Sequence, residues 1–133
     1  MLALLVSGCG ASGSGASETA QVSARVLRYF SAYARGSGTE LCALLTGSAQ
    51  HTMVEVVDSD EQELGRSRTA HTCLQAVQFF GPVLQAEHTK ILSVSITGTN
   101  ATVTVKVGSL HAGSVFLSKT VAGWIISRLP GEA

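Results

Sequence analysis

The spacing of apolar residues changes from a helical period to a strand period at about Thr89 of this 133-residue chain. Before that residue, apolar side chains recur every three or four positions, as on one face of an α-helix. After it they alternate with polar residues, which is typical of a strand with one buried face. Helices first and strands second favour the α+β class.

Four helical segments are predicted in the first part. The first begins after Ser17 or Thr19, either of which can cap it, and stops at Gly36-Ser37-Gly38. The next two are residues 40–45, after a Thr39 cap, and residues 48–57, after a Ser48 cap, although the valines of the latter also suit a strand. Residues 58–68 are predicted to be a polar loop. A last helix covers residues 73–80, between a Thr72 cap and Gly81-Pro82.

Two β-hairpins are predicted in the second part, from residues 92–97 with 101–107 and from residues 114–120 with 123–129. Together they make a four-stranded antiparallel meander. In the first hairpin, alternation predicts a face towards the helices made of Leu92, Val94, Ile96, Val103, Val105 and Val107. The opposite face is predicted to carry Ser93, Ser95, Thr102, Thr104 and Lys106.

Composition excludes several classes of protein. Hydrophobic residues make up 45% of the chain and charged residues only 14%, which is too apolar for a disordered protein. Nine basic residues balance nine acidic ones, so the positive charge expected of a nucleic-acid-binding protein is missing. The sequence contains no apolar run of about 18 residues, so no transmembrane helix is predicted. We expect one globular domain with no nucleic-acid partner.

A cysteine near the N-terminus lies between an apolar run and a flexible stretch. Leu4-Leu5-Val6-Ser7-Gly8-Cys9 precedes the Gly- and Ser-rich residues 10–17, and this arrangement resembles the lipobox of bacterial lipoproteins. The resemblance implies a signal peptide over residues 1–8, a lipidated Cys9 with a tether over residues 9–17, and a domain over residues 18–133. It implies an extracytoplasmic protein whose partner is the membrane, reached through a lipid anchor.

The apolar run before Cys9 is shorter than a usual signal peptide and has no Lys or Arg. We therefore expect the leader to be truncated and the true start to lie upstream. The alternative is that the run is a buried strand or a frayed end and that the cysteine is incidental.

The lipoprotein resemblance leaves Cys42 and Cys73 as an even pair in a compartment that permits disulfides, so we expect them to be bridged. The alternative is two free buried thiols. The four His residues are far apart in sequence, and His71 and Cys73 alone do not have zinc-ligand spacing. No metal and no cofactor is predicted.

The chain resembles the nuclear-transport-factor-2-like (NTF2-like) fold, as found in small actinobacterial lipoproteins. Three features carry the resemblance: the order of elements, the cysteine pair joining two helical segments, and the closing strand Gly123-Trp124-Ile125-Ile126. The resemblance covers about residues 18–129. It implies N-terminal helices packed on a curved four-stranded antiparallel sheet, forming a cone with a pocket. Members use this pocket for catalysis, as in ketosteroid isomerases and polyketide cyclases, or only for binding. Tyr29, Tyr33 and Trp124 are candidate pocket residues, although such aromatic side chains are also common in cores.

An isomerase-like pocket needs a carboxylate as general base. No Asp or Glu occurs between His88 and Gly131, so a base has to come from a helix; the candidates, Glu40, Glu55 and Glu87, are expected on the surface. We predict no catalytic residue, and we expect any pocket between the sheet and the Tyr29/Tyr33 helix to be apolar. The expected function is a non-catalytic binding or accessory module for a hydrophobic small molecule or an envelope protein. A pocket enzyme and a purely structural envelope protein are the alternatives.

Overall fold

The computed structural model describes residues 17–109 and 112–129, so the predicted leader, Cys9 and the tether up to residue 16 lie outside the described residues. Four α-helices come first: α1 (Glu18–Arg35), α2 (Gly38–Ala43), α3 (Gly47–Glu63) and α4 (Cys73–Phe80). A 3₁₀ helix (Leu84–His88) leads into four strands: β1 (Thr89–Thr97), β2 (Asn100–Val107), β3 (Ala112–Thr120) and β4 (Gly123–Arg128). The predicted α+β order of helices followed by four strands is confirmed.

The four strands form one antiparallel meander in the order β1-β2-β3-β4. The edge of β4 is partly covered by the chain that joins α2 to α3. The Ile126 N–H donates to the Leu44 carbonyl oxygen at 2.9 Å, and the Thr46 N–H donates to the Ile126 carbonyl oxygen at 2.8 Å. This short parallel bridge fastens the helical layer to the last strand.

The predicted inner face of the first hairpin is confirmed except at Leu92. Val94, Ile96 and the three predicted valines of β2 pack on the core, but Leu92 is 51% exposed and Ile91 packs inward in its place. The pairing of β1 with β2 shifts between Ile91 and Ser93. The extra residue of a β-bulge reverses the faces on one side of it, which explains the error at Leu92.

Helix α1 packs across the inner face of the sheet. Its buried residues include Val22, Val26 and Tyr29, each at most 2% exposed, and it ends at Gly36, whose φ of 69° is the left-handed conformation common after helices. The facing sheet residues are equally buried: Val103, Val105, Val115, Leu117, Trp124 and Ile126. Along this stretch, side chains of α1 and of the sheet fill the space between them. No described helix is long and apolar enough to cross a membrane.

The disulfide between Cys42 and Cys73 is present in the structure, with the two Cα atoms 6.1 Å apart. This confirms the predicted pairing. The bond ties the end of α2 to the first residue of α4, two elements separated by 31 residues in sequence. The helical layer is thus covalently closed around α3.

Helix α3 is longer than predicted at both ends. Its cap is Thr46, whose Oγ1 accepts a hydrogen bond from the Ala49 N–H at 3.1 Å, and not Ser48. At the other end the helix continues to Glu63, so the prediction of a loop from residue 58 was wrong for residues 58–63. The buried residues Ala49, Met53, Val57 and Glu61 recur every four positions. This inward stripe explains why the acidic segment stays helical.

Candidate functional site

A cleft of about 520 Å³ lies among the helices and not between α1 and the sheet. We call it the helical cleft. Three helices and the segment after α4 supply its largely apolar wall, made of Tyr33, Met53, Val56, Val57, Phe79, Phe80 and Val83. Its remaining lining residues, at the end of α3 and just beyond, are Asp60, Glu61, Leu64 and Arg66. Core side chains fill much of the interface between α1 and the sheet, and smaller pockets lie at its edges.

The three aromatic candidates are separated by the fold. Tyr33 lines the helical cleft, whereas Tyr29 is 2% exposed and belongs to the core. Trp124 is also buried and lines a different, smaller pocket between α1 and β4. The structure therefore brings one of the three residues to the helical cleft.

The aromatic wall of the cleft is held by contacts across α1 and α4. The Tyr33 ring meets the Phe80 ring edge to face, with centroids 5.1 Å apart, and the Tyr29 ring at 5.7 Å. The Val83 N–H donates to the Tyr33 carbonyl oxygen at 3.0 Å, which draws the segment after α4 onto α1. Edge-to-face packing of this kind adds to the free energy gained from burial alone, so the wall is preformed.

Glu61 is a buried carboxylate at the polar end of the cleft, only 4% exposed. Arg68 Nε donates to its Oε1 at 2.7 Å, and Arg66 Nη1 donates to its Oε2 at 3.0 Å. The Arg68 guanidinium also lies 4.4 Å from the centroid of the Phe79 ring. Both carboxylate oxygens are therefore engaged, and the charge of Glu61 is compensated.

The pKa values at the cleft do not favour proton abstraction. The hydrogen bond from Arg68 is the main cause that holds the pKa of Glu61 below its ordinary value of 4.5; burial opposes it and Arg66 reinforces it. Burial, followed by the charge of Asp60, raises the pKa of the Tyr33 phenol. At neutral pH the carboxylate is ionised and paired, and the phenol is protonated. Tyr33 can donate a hydrogen bond but is not a base.

The acidic candidates predicted from sequence lie elsewhere. Glu40 pairs with Arg35 at 2.6 Å and with Arg28 at 3.5 Å, and Glu55 is 66% exposed beside His51. Glu87 is an exposed residue of the 3₁₀ helix. Sequence reasoning missed Glu61, although its four-residue spacing from Val57 and Met53 is a signal that could have placed it inward. Within residues 17–109 and 112–129, no group of three His, Cys, Asp or Glu side chains could hold a metal ion.

Replacing Glu61 with glutamine is expected to lower the melting temperature at pH 7 more than Glu63→Gln, which changes an exposed carboxylate two residues away. The folded-state pKa of Glu61 is lowered, so its ionised form stabilises the fold fully above about pH 4.5 and progressively less as the pH falls. Thermal melts between pH 3 and 7 measure this. An equal difference between wild type and Glu61→Gln across that range would contradict the role of the ionised pair.

Comparison with known proteins gives little beyond this geometry. No protein-family model matches the chain. No curated protein matches it either. The chain is similar to the crystal structure of a Campylobacter jejuni protein described provisionally as an NTF2-like transpeptidase, with 16% sequence identity and a TM-score of 0.45 over 87% of this chain and 100% of that one. A similarity at this level carries no argument about activity.

Proposed function

We propose that the chain is a cell-envelope lipoprotein, anchored through Cys9, whose NTF2-like domain binds an apolar, lipid-like small molecule in the helical cleft without catalysing a reaction. The observation that carries the binding role is the cleft itself, with its aromatic and aliphatic wall and a polar end at which the buried carboxylate, Glu61, is already compensated. The anchor rests on the lipobox resemblance at residues 4–9.

The size and lining of the cleft suit a hydrophobic ligand. Its volume of about 520 Å³ lies within the range of small-molecule sites. Phe79, Phe80 and Val56 offer apolar surface, whose burial stabilises a complex by roughly 25 cal/mol per Å². The Tyr33 hydroxyl and the half-exposed Arg66 guanidinium give a polar head group of the ligand two side chains that can donate hydrogen bonds. A chain-like ligand with one polar end fits this arrangement.

The state of Glu61 favours binding over catalysis. An isomerase-like base needs a carboxylate that is free to accept a proton from the substrate, often with a raised pKa. Glu61 has a lowered pKa and both of its oxygens accept hydrogen bonds from arginines. Binding is therefore the first candidate function, and catalysis is the second.

Titration with a dansyl-labelled fatty acid tests the proposal, because the dansyl group emits more strongly in an apolar site. Val56 lies at the rim of the cleft and is 49% exposed, so Val56→Trp adds a bulky side chain there without disturbing the core. We expect this variant to bind the probe about tenfold more weakly, which corresponds to about 1.4 kcal/mol.

Leu92→Trp is the matched control, because Leu92 is 51% exposed on β1 and does not line the cleft. It should bind the probe as the wild type does. The proposal fails if the wild-type protein shows no saturable binding, or if the two tryptophan variants behave alike while both remain folded by circular dichroism.

A further inference from the structure

A second pocket, of about 250 Å³, lies between the first half of α1 and the start of β4. We call it the α1–β4 pocket. Its lining residues are Gln21, Ala24, Arg25, Arg28, Gly123 and Trp124. Two of these six carry a positive charge and none carries a negative charge, although the whole chain has nine residues of each sign. The pocket is thus locally cationic in a neutral protein.

Of the two arginines in the pocket, Arg25 has the fewer interactions with other side chains. Its side chain is partly buried and forms no ion pair or hydrogen bond with another residue in the described part of the chain. Its Nη2 lies 3.5 Å from the place a Cβ at position 123 would occupy, and Gly123, with φ of 110°, leaves that approach open. A partly desolvated guanidinium without a counter-charge favours an anion beside it.

Trp124 is a lining residue of the same pocket. Its side chain is 2% exposed, and the Lys119 ammonium lies 5.9 Å from the centroid of its ring. Its Nε1 is buried out of reach of a ligand in the pocket, so the indole contributes packing and not a hydrogen bond. The charge of Lys119 is compensated by its ion pair with Glu18.

Arg28 is the second cation of the pocket, and its charge is only partly compensated. Its Nε lies 3.5 Å from Glu40 Oε2, while Arg35 holds the other oxygen of that carboxylate at 2.6 Å. The Arg28 side chain is 59% exposed. The other nearby carboxylate, Glu18, is paired with Lys119. Glu40 is therefore shared by two arginines and Glu18 is taken by Lys119, so neither carboxylate fully compensates the charge of the pocket.

We propose that the α1–β4 pocket binds a phosphate group, with Arg25 as the main ligand and Arg28 as a further donor. The planar fork of a guanidinium matches two phosphate oxygens, and phosphate accepts hydrogen bonds from several directions at once. The proposal does not depend on any ligand in the helical cleft. Two sources have this chemistry: soluble phosphate and the head group of an anionic phospholipid.

The position of the pocket makes the lipid source relevant. Helix α1 begins at Glu18, next to the N-terminal tether. Arg25 lies seven residues further on, which is about 10 Å along the helix axis. Lys119 of β3 pairs with Glu18, so the β3–β4 turn lies at the same end of the domain, and Val121 in that turn is fully exposed. An apolar tip beside cations is a common arrangement on surfaces that touch anionic membranes.

Trp124 is the single tryptophan of the chain, so its fluorescence reports directly on this pocket. The full chain carrying Cys9→Ser, which cannot be acylated, is titrated with inorganic phosphate at constant ionic strength, using sodium chloride as reference. It is titrated separately with vesicles of phosphatidylglycerol in phosphatidylcholine, and with phosphatidylcholine alone. We expect a saturable change in emission in at least one of the two phosphate arms and none with chloride or phosphatidylcholine alone.

Arg25→Gln should weaken that response at least about tenfold, as expected for losing a charge-assisted hydrogen bond at a partly buried site. Arg25→Lys keeps the charge but loses the planar guanidinium, so its response should lie between those of the wild type and Arg25→Gln. Lys106→Gln removes one charge from the exposed outer face of β2 and should bind as the wild type does. If the emission changes with phosphatidylglycerol vesicles but not with inorganic phosphate, the ligand is a lipid head group. If it changes with inorganic phosphate, soluble phosphate is sufficient for binding. No saturable response in either arm, or equal binding by Arg25→Gln and Lys106→Gln, overturns the proposal.

Discussion

The Cys9→Ala variant, expressed in its native host, is expected to move almost completely from the detergent phase to the aqueous phase in a Triton X-114 partition. If the Cys9 thiol carries a diacylglycerol, two or more acyl chains hold the wild-type protein stably in the membrane, whereas the variant has no anchor. Intact mass of the detergent-phase protein measures the attached lipid.

Ser12→Ala is the control for this experiment, because it alters the tether and leaves Cys9 in place. It should partition with the detergent as the wild type does. A wild-type chain that is freely soluble and whose mass shows no lipid would remove the anchor from the proposed function, while the two pocket proposals would be untouched.

The double variant Cys42→Ala/Cys73→Ala is expected to be less stable than the oxidised protein by about 3–4 kcal/mol, since the bridge closes a loop across 31 residues. For a domain of this size, the melting temperature should fall by roughly 10–20 °C. Thermal melts with and without dithiothreitol measure the effect. Dithiothreitol should lower the melting temperature of the wild type and leave that of the double variant unchanged.

Thiol titration of the oxidised protein in denaturant gives an independent check on the bridge. In the Cys9→Ser variant, which keeps only Cys42 and Cys73, the titration should detect no free thiol. Two reactive thiols per chain, together with a melting temperature that does not respond to reductant, would contradict a stabilising disulfide.

The parts of the fold that followed from sequence are those in which local pattern and tertiary burial agree. In α1 the helical spacing of Val22, Val26 and Tyr29 coincides with the face that packs on the sheet, and Gly36 ends the helix. The cap and stop of α4 are likewise local, since Thr72 accepts from the Gln75 N–H at 3.1 Å. Such elements need no knowledge of distant residues.

The errors arose where side-chain contacts or strand pairing, and not the local pattern of residues, decide the outcome. Residues 58–63 look like a solvated acidic loop until Arg66 and Arg68 are seen to compensate Glu61, and those contacts depend on how the chain turns after α3. At Leu92 the adjacent Ile91 is equally apolar, so alternation alone cannot choose which of the two faces inward. The pairing with β2 makes that choice.

The candidate site was the least predictable part for the same reason. The helical cleft combines Tyr33, Phe80 and Glu61 from three helices, and no two of these are close in sequence. The aromatic candidates were chosen by residue type, which does not distinguish the core position of Tyr29 from the cleft position of Tyr33. Only the packing of α3 and α4 against the end of α1 separates them.

We expect the redox state of the disulfide to affect self-association, because the disulfide restrains the chain that covers the edge of β4. Leu44 and Thr46 occupy backbone groups of Ile126 that an uncovered edge strand offers to other chains. The covering segment begins two residues after Cys42, so the disulfide also restrains it. Reduction loosens that restraint, and a reducing environment is therefore expected to favour strand addition between copies of the domain.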